Sequence, residues 1–363
     1  MKKLFIILLI IITIYSNLFS RENEVNVYLY NFHPVTATIV KNKLTVKPAV
    51  EVEIRNFKTK EFNLLLTLVD SGGSNVFRKS QKVKRDENDD NDYVVVRFWL
   101  DDKIPFPVKA LVEVETEDGI FKSEIELKFA RIYGKVTDFD GNPLKEYIFV
   151  KDSGFEDVYA VVCNENGEYE MILPQNTYNA VAVFDEGYAV KTLERWGWNF
   201  NANEDKEINF KVGTVEVYNI HLWPNNGGPP TVFVSFRAMS VNRMPRKSFY
   251  TFEEFQKDPY SGLAPALNKN NVKIFFDGNE LKVVSVTPYP EFVNTKDGRD
   301  FFLVSYLVQA LRGNNRIDNG RHNVKVVIEA EFETDGKKII EKGEGSYSWI
   351  QEVSIQSLKK YNY

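Results

Sequence analysis

A chain of 363 residues is longer than one ordinary domain, which predicts two or three. Its 46 Lys and Arg against 51 Asp and Glu give a formal net charge of −5 with no basic block, a balance that excludes a nucleic-acid binder working by charge. The single cysteine, Cys163, excludes an internal disulfide, so an exported chain of this composition must be held by its cores and turns.

The chain opens on Met1-Lys2-Lys3, and Leu4 to Tyr15 is apolar except for Thr13. That is the length of a signal-peptide core and short of the ~20 residues a spanning helix needs. Residues 1–20 are therefore expected to be a signal peptide removed after Ser20, placing the protein outside the cytoplasm, secreted or at the cell surface. Leu18 is larger than processing sites prefer three residues before the cut, and an uncleaved membrane tether is the alternative. No Cys follows the apolar core, so anchoring through a lipidated Cys is excluded. No later apolar run reaches spanning length, which leaves this segment as the one expected membrane contact.

Residues 24–130 read as one sandwich. Val25 to Tyr30 begins in alternation, Ala49 to Ile54 alternates cleanly, and Phe62 to Val69 is a denser apolar run ending at Asp70-Ser71-Gly72-Gly73. Tyr93 to Leu100, Val108 to Glu115 and Ile120 to Phe129 complete an immunoglobulin-like set. The loop Asp86 to Asp92 offers oxygens at alternate positions. Asn91 stands where a helix–loop–helix calcium loop starting at Asp86 needs Gly, and no Glu stands at the twelfth place, so a solvated hairpin tip is expected there.

At Ile132 a new pattern starts. Ile132, Gly134 and Val136 alternate with Tyr133, Lys135 and Thr137; Asp140-Gly141 turns the chain and Pro143 restarts it. Short apolar runs follow at Tyr147–Val150, Val158–Cys163, Tyr169–Leu173, Thr177–Phe184 and Tyr188–Thr192. The front residues, the turn Asn166-Gly167-Glu168-Tyr169, Tyr178 and Gly187-Tyr188 resemble the carboxypeptidase regulatory-like domain, a transthyretin-like β-sandwich, over about residues 131–224. The resemblance implies a non-catalytic module. Glu194 to Asp205 departs from it.

Residues 225–363 form a third region behind the loop-like Pro224 to Pro230. Thr231 to Ala238 reads as a strand. Thr251-Phe252-Glu253-Glu254 is a capping box that predicts a short helix over Phe252–Lys257, inside an irregular insertion at 242–270. Asn271 to Phe276 and Leu281 to Val286 flank Asp277-Gly278 as a hairpin. Phe302 to Leu311, Asn323 to Phe332 and Ser346 to Ser357 are the later strands. The run Asn319 to Ile328 and the hairpin before it resemble a bacterial immunoglobulin-like domain over about 270–335. The expected fold is thus all-β: three β-sandwich domains in series, 24–130 immunoglobulin-like, 131–224 carboxypeptidase regulatory-like and 225–363 immunoglobulin-like.

Catalytic signals are thin. His33, His221 and His322 are followed three residues on by Thr36, Pro224 and Lys325, so the H-x-x-E zinc pair of the metallocarboxypeptidases that carry the resembling module is missing. No catalytic residue, metal ligand or cofactor is assigned. Arg195-Trp196-Gly197-Trp198-Asn199-Phe200 is the one unusual stretch. Trp196, Trp198 and Phe200 on a loop are candidate ligand-binding residues, able to stack on sugar rings; the other reading has them cover a core or a domain seam. The sequence points to an extracytoplasmic structural or adhesion-type protein whose partner is a cell-surface protein or glycan. A carbohydrate-binding protein using the Trp loop, or an accessory factor for a separate peptidase, are the alternatives. N-terminal sequencing of the protein from its native source should find a start near Arg21. Intact Met1 on cytoplasmic protein would refute export, and intact Met1 in the membrane fraction would favour the tether.

Overall fold

The computed structural model describes residues 24–351 except 31–34, 40–41, 57–58, 86–92, 101–103, 118, 185–186, 226–228 and 314–316. The expected signal segment, His33, the acidic loop at 86–92, the centre of the 224–230 loop and the end of the last predicted strand lie outside the described residues. Among those described, no helix is long and apolar enough to cross a membrane.

The protein is all-β. In chain order the strands are β1 (Glu24–Tyr30), β2 (Val35–Ile39), β3 (Asn42–Val46), β4 (Ala49–Arg55), β5 (Glu61–Asp70), β6 (Asn75–Lys84), β7 (Tyr93–Trp99), β8 (Pro107–Thr116) and β9 (Gly119–Glu126). They continue as β10 (Phe129–Thr137), β11 (Tyr147–Lys151), β12 (Asp157–Val162), β13 (Glu168–Pro174), β14 (Thr177–Phe184), β15 (Arg195–Asn201), β16 (Lys206–Glu207) and β17 (Phe210–Lys211). The last seven are β18 (Val215–Pro224), β19 (Thr231–Ser240), β20 (Val272–Phe276), β21 (Asn279–Lys296), β22 (Arg299–Leu311), β23 (Gly320–Thr334) and β24 (Lys337–Gln351). The helix α1 (Phe252–Lys257) starts at the expected capping box: Thr251 Oγ1 accepts from the Glu254 amide and Glu254 Oε2 from the Thr251 amide.

The chain divides into two compact units where the sequence predicts three domains. Among the described residues, the first takes those within 24–30 and 47–128. Its sheets run β1-β4-β7 and β6-β5-β8-β9. The alternation read from the sequence sets its core: Val50, Val52 and Ile54 of β4 and Leu64, Leu66 and Leu68 of β5 are all buried.

The second unit takes the described residues within 129–351 together with those within 35–46. The hairpin β2–β3 sits here, although the sequence puts it inside the first sandwich; Val46 packs with Phe149, Ala160, Ala182 and Phe184. One sheet sets β10 between β13 and the short β16 and β17. The other runs β12-β11-β14-β15-β24-β23-β20-β21-β22-β19-β18. The strands predicted as the middle sandwich and those predicted as the C-terminal one are therefore hydrogen-bonded into one sheet. The junction is the parallel pair β15–β24, with Gly197 opposite Ser346 and Trp198 opposite Tyr347. Beyond it, Val217, Val234, Phe236, Tyr306, Val326 and Ile328, from β18, β19, β22 and β23, belong to one buried core. The irregular insertion contributes Tyr250, Ala264 and Leu267 to it.

Three elements differ from expectation. Arg195–Asn201 is an internal strand and not a loop. Tyr188 to Thr192 is a turn closed by one bridge, with Ala189 at φ 61°. β21 continues to Lys296 through Pro288 and Pro290, well past Val286. It pairs β22 along its length but β20 only over Asn279–Leu281, so proline's missing N–H breaks no ladder bond on the unpaired side.

Two glycine features fix the chain's path. Gly141 takes φ 91° in the turn predicted for it, and its amide donates to the Asp138 carbonyl. The Asp138 carboxylate collects the amides of Asp140 and Asn142 and the side-chain amide of Asn142, and this last bond leads in holding its pKa below the usual carboxylate range. In β24, Gly343 and Gly345 let β18 lie directly against the strand: a Cβ at Gly343 would stand 2.0 Å from the Val215 carbonyl oxygen, and one at Gly345 2.4 Å from that of Val217. Gly343→Ala forces that backbone apart and should cost about 1–3 kcal/mol, read as a lower midpoint in urea unfolding. An unchanged midpoint would show that the two strands separate freely.

Candidate functional site

Strand β15 carries the residues singled out in the sequence. Trp196 and Trp198, two apart on a strand, fall on one face. Their rings stack at 5.1 Å, and Phe155 lies over both, at 5.7 Å from Trp196 and 6.1 Å from Trp198. Phe155 reaches this place from the β11–β12 turn at φ 66°, where the Asp152 carboxylate accepts the Gly154 and Glu156 amides. Lys151 Nζ stands 4.7 Å from the Phe155 ring centre and pairs with Asp157 at 2.6 Å.

The rings are thus largely used within the fold. Trp196 is 8 % exposed and packs with Phe149, Ala180 and Ala182. Phe200 is buried, Trp198 is half-buried, and Phe155 is 46 % exposed. A sugar ring stacking on the indoles would first have to displace Phe155. The signal for the strand was present, since Trp196, Trp198 and Phe200 alternate with Arg195, Gly197 and Asn199. Gly197 hid it: a Cβ there would meet Val181 Cγ1 at 2.9 Å and Ser346 Oγ at 3.0 Å, so the glycine answers a close approach and not a loop.

Behind the stack lies a pair of acids that the sequence reading missed. Trp196 Nε1 donates to Glu216 Oε1 at 3.0 Å, and Glu216 is buried on β18. Burial, reinforced by the charge of Glu194, pushes the Glu216 carboxyl up to about 8 against the opposing bond from Trp196. Glu194 is also raised by burial, opposed chiefly by its hydrogen bond with Tyr188. No sequence pattern marks these two acids, because they meet through the packing of β18 behind β15.

The junction itself is charged. Arg195 Nε stands 3.3 Å from Glu344 Oε1, both side chains buried, and its guanidinium lies 4.7 Å from the Phe210 ring centre. A second buried pair joins Arg243 to Glu341 at 3.0 Å, with Ser240 Oγ also donating to Glu341. The remaining flagged residues have structural surroundings. His322 stacks on Phe276 at 4.9 Å and bonds Asp277 at 2.7 Å; His221 packs edge-on to Tyr347. Cys163 is buried just past β12, and burial pushes its thiol up to about 11. Among the described residues, no group of three or more His, Cys, Asp or Glu is placed to hold a metal ion.

No family model matches the chain, and no curated protein matches it. Solved structures do. The major pilin subunit BcpA of Bacillus cereus aligns at 10 % identity over 61 % of this chain and 69 % of that one, with a TM-score of 0.19. The pilus 2b backbone protein of group B streptococcus aligns at 9 % identity over 51 % and 98 %, with a TM-score of 0.18. The native conformation of E. coli alpha-2-macroglobulin aligns at 10 % identity over 90 % and 20 %, with a TM-score of 0.16.

The acid pair has a pH signature. A carboxyl that titrates at about 8 in the fold but near 4.5 when unfolded gives the native state the extra proton between those values, so stability falls as pH rises across that window. Glu216→Gln keeps the shape and the bond from Trp196 and removes the titration. Its melting temperature should exceed the parent's at pH 9 and approach it at pH 4. Parallel melting curves for the two proteins across that range would refute the assignment.

Proposed function

We propose that this chain is a non-catalytic extracytoplasmic structural or adhesion protein, whose tied β-sheets space and present loops to a cell-surface protein or glycan. The use of its buried polar and charged side chains carries this reading. Arg195 meets Glu344 across 149 residues of sequence, Arg243 meets Glu341 across 98, and the Trp196 indole meets Glu216 across 20. Each ties separate elements of the fold, and each of these side chains is buried and held by its partner. A catalytic group needs the opposite, a reactive atom left free to meet a substrate. Within the proposal, residues 131–224 are a carboxypeptidase regulatory-like module that serves as framework, and the stacked rings of Phe155, Trp196 and Trp198 brace it.

Labelling of intact cells with a membrane-impermeant amine reagent tests the reading. The lysine-rich chain should be labelled before lysis, or be recovered from the medium. Recovery only in the cytosol, unlabelled until cells are broken, would overturn it.

A further inference from the structure

A groove crosses the second unit at β15, where Arg195, Gly197 and Trp198 line it. It consists of two hollows of about 280 and 330 Å³ that share Glu207, Asn209, Phe210 and Lys325. Its floor is formed by consecutive strands of the long sheet, through Gly197, Ser346, Lys325 and Phe275. Its wall is the β16–β17 segment.

Four lysines from four strands line the two hollows: Lys135, Lys206, Lys211 and Lys325. Arg195 also lines the groove and is matched by the buried Glu344, which leaves Glu207 as the one other carboxylate on the lining. Lys135 pairs with Glu168 at 3.2 Å, while neither Lys206 nor Lys211 forms an ion pair among the described residues. The Lys325 ammonium is 3.9 Å from Glu344 and 5.0 Å from the Phe275 ring centre, with its side chain 44 % exposed. On a chain of net charge −5, this is a local concentration of positive charge in a concave place.

We propose that the groove binds an anionic polysaccharide, a polymer of carboxylate-bearing sugars. The lysines would meet its carboxylates, and Asn323 and Ser346 offer polar side chains to its hydroxyls. An acidic peptide is the less fitting occupant. Peptides gain affinity by adding a strand to an open sheet edge. Here β15, β24 and β23 are paired on both sides, and the free edge belongs to β16 and β17, of two residues each. The charge and shape of the groove do not depend on where the chain resides, so this proposal and the export reading fail separately.

Affinity electrophoresis of the full chain tests it, in gels containing polygalacturonate, neutral dextran or polyglutamate. Polygalacturonate should retard the protein and the other two should not, and the retardation should weaken with added sodium chloride. Lys206→Gln/Lys211→Gln should weaken the apparent affinity on the order of tenfold with an unchanged melting curve. Lys325→Gln, on a different strand, is the second variant should the first melt early, and it should also weaken retardation. Absence of retardation by polygalacturonate, equal retardation of the lysine variants, or equal retardation by polyglutamate would each overturn the assignment.

Discussion

The buried contact of Arg195 with Glu344 is the interaction on which the second unit depends. Taking two charges out of water is costly, and the attraction returns that cost only when geometry and further hydrogen bonds are good. Here they are supplied on both sides. Arg195 also donates to the Trp196 carbonyl and lies on Phe210, and Glu344 also accepts the Lys211 amide. Removing either partner strands the other in a dry place, a loss of about 3–5 kcal/mol for pairs of this kind. The contact stands where the parallel ladder between β15 and β24 is short, so side-chain charge completes what backbone pairing begins.

Around that point the same strand serves three neighbours. β24 presents Glu341, Gly343 and Gly345 towards β18 and the insertion, while Lys342, Glu344 and Ser346 face the other way, towards β15, β17 and the turn after β10. Alternation along one strand thus separates a glycine track for close backbone approach from a charged track for lateral ties. The fold joins its parts by strand sharing, with no disulfide.

The all-β class was legible because most strands bury one face, and period-two alternation survives in the sequence wherever that holds. β4, β8, β20 and β23 stand close to the strands that Ala49–Ile54, Val108–Glu115, Asn271–Phe276 and Asn323–Phe332 predict. Two of the misses share a cause. β15 and the first half of β24 contain Gly197, Gly343 and Gly345, which read as loop signals when only the local chain is considered. Each glycine is required by a strand far away in sequence, which local pattern does not encode. β21 runs on past Val286, where the alternation of the predicted hairpin stops, through Pro288 and Pro290, because the sequence does not say which edge of a strand stays unpaired. At the candidate site, the aromatic residues were legible as unusual. Phe155 above them and Glu216 behind them were not, since both arrive through tertiary packing.

The long reach between β15 and β24 has a consequence for how the chain is made. Synthesis and any export run from the N-terminus, so β14 and β15 emerge with their sheet unfinished. Arg195 waits 149 residues for Glu344, while the hairpin that supplies Val46 has already been made. Contacts of such separation slow folding, because loop closure precedes the reward. Until β24 arrives, the β15 edge is an open template for other strands. The nascent second unit is therefore most exposed to mispairing during the interval set by residues 202–336, and truncations within that interval would trap it there.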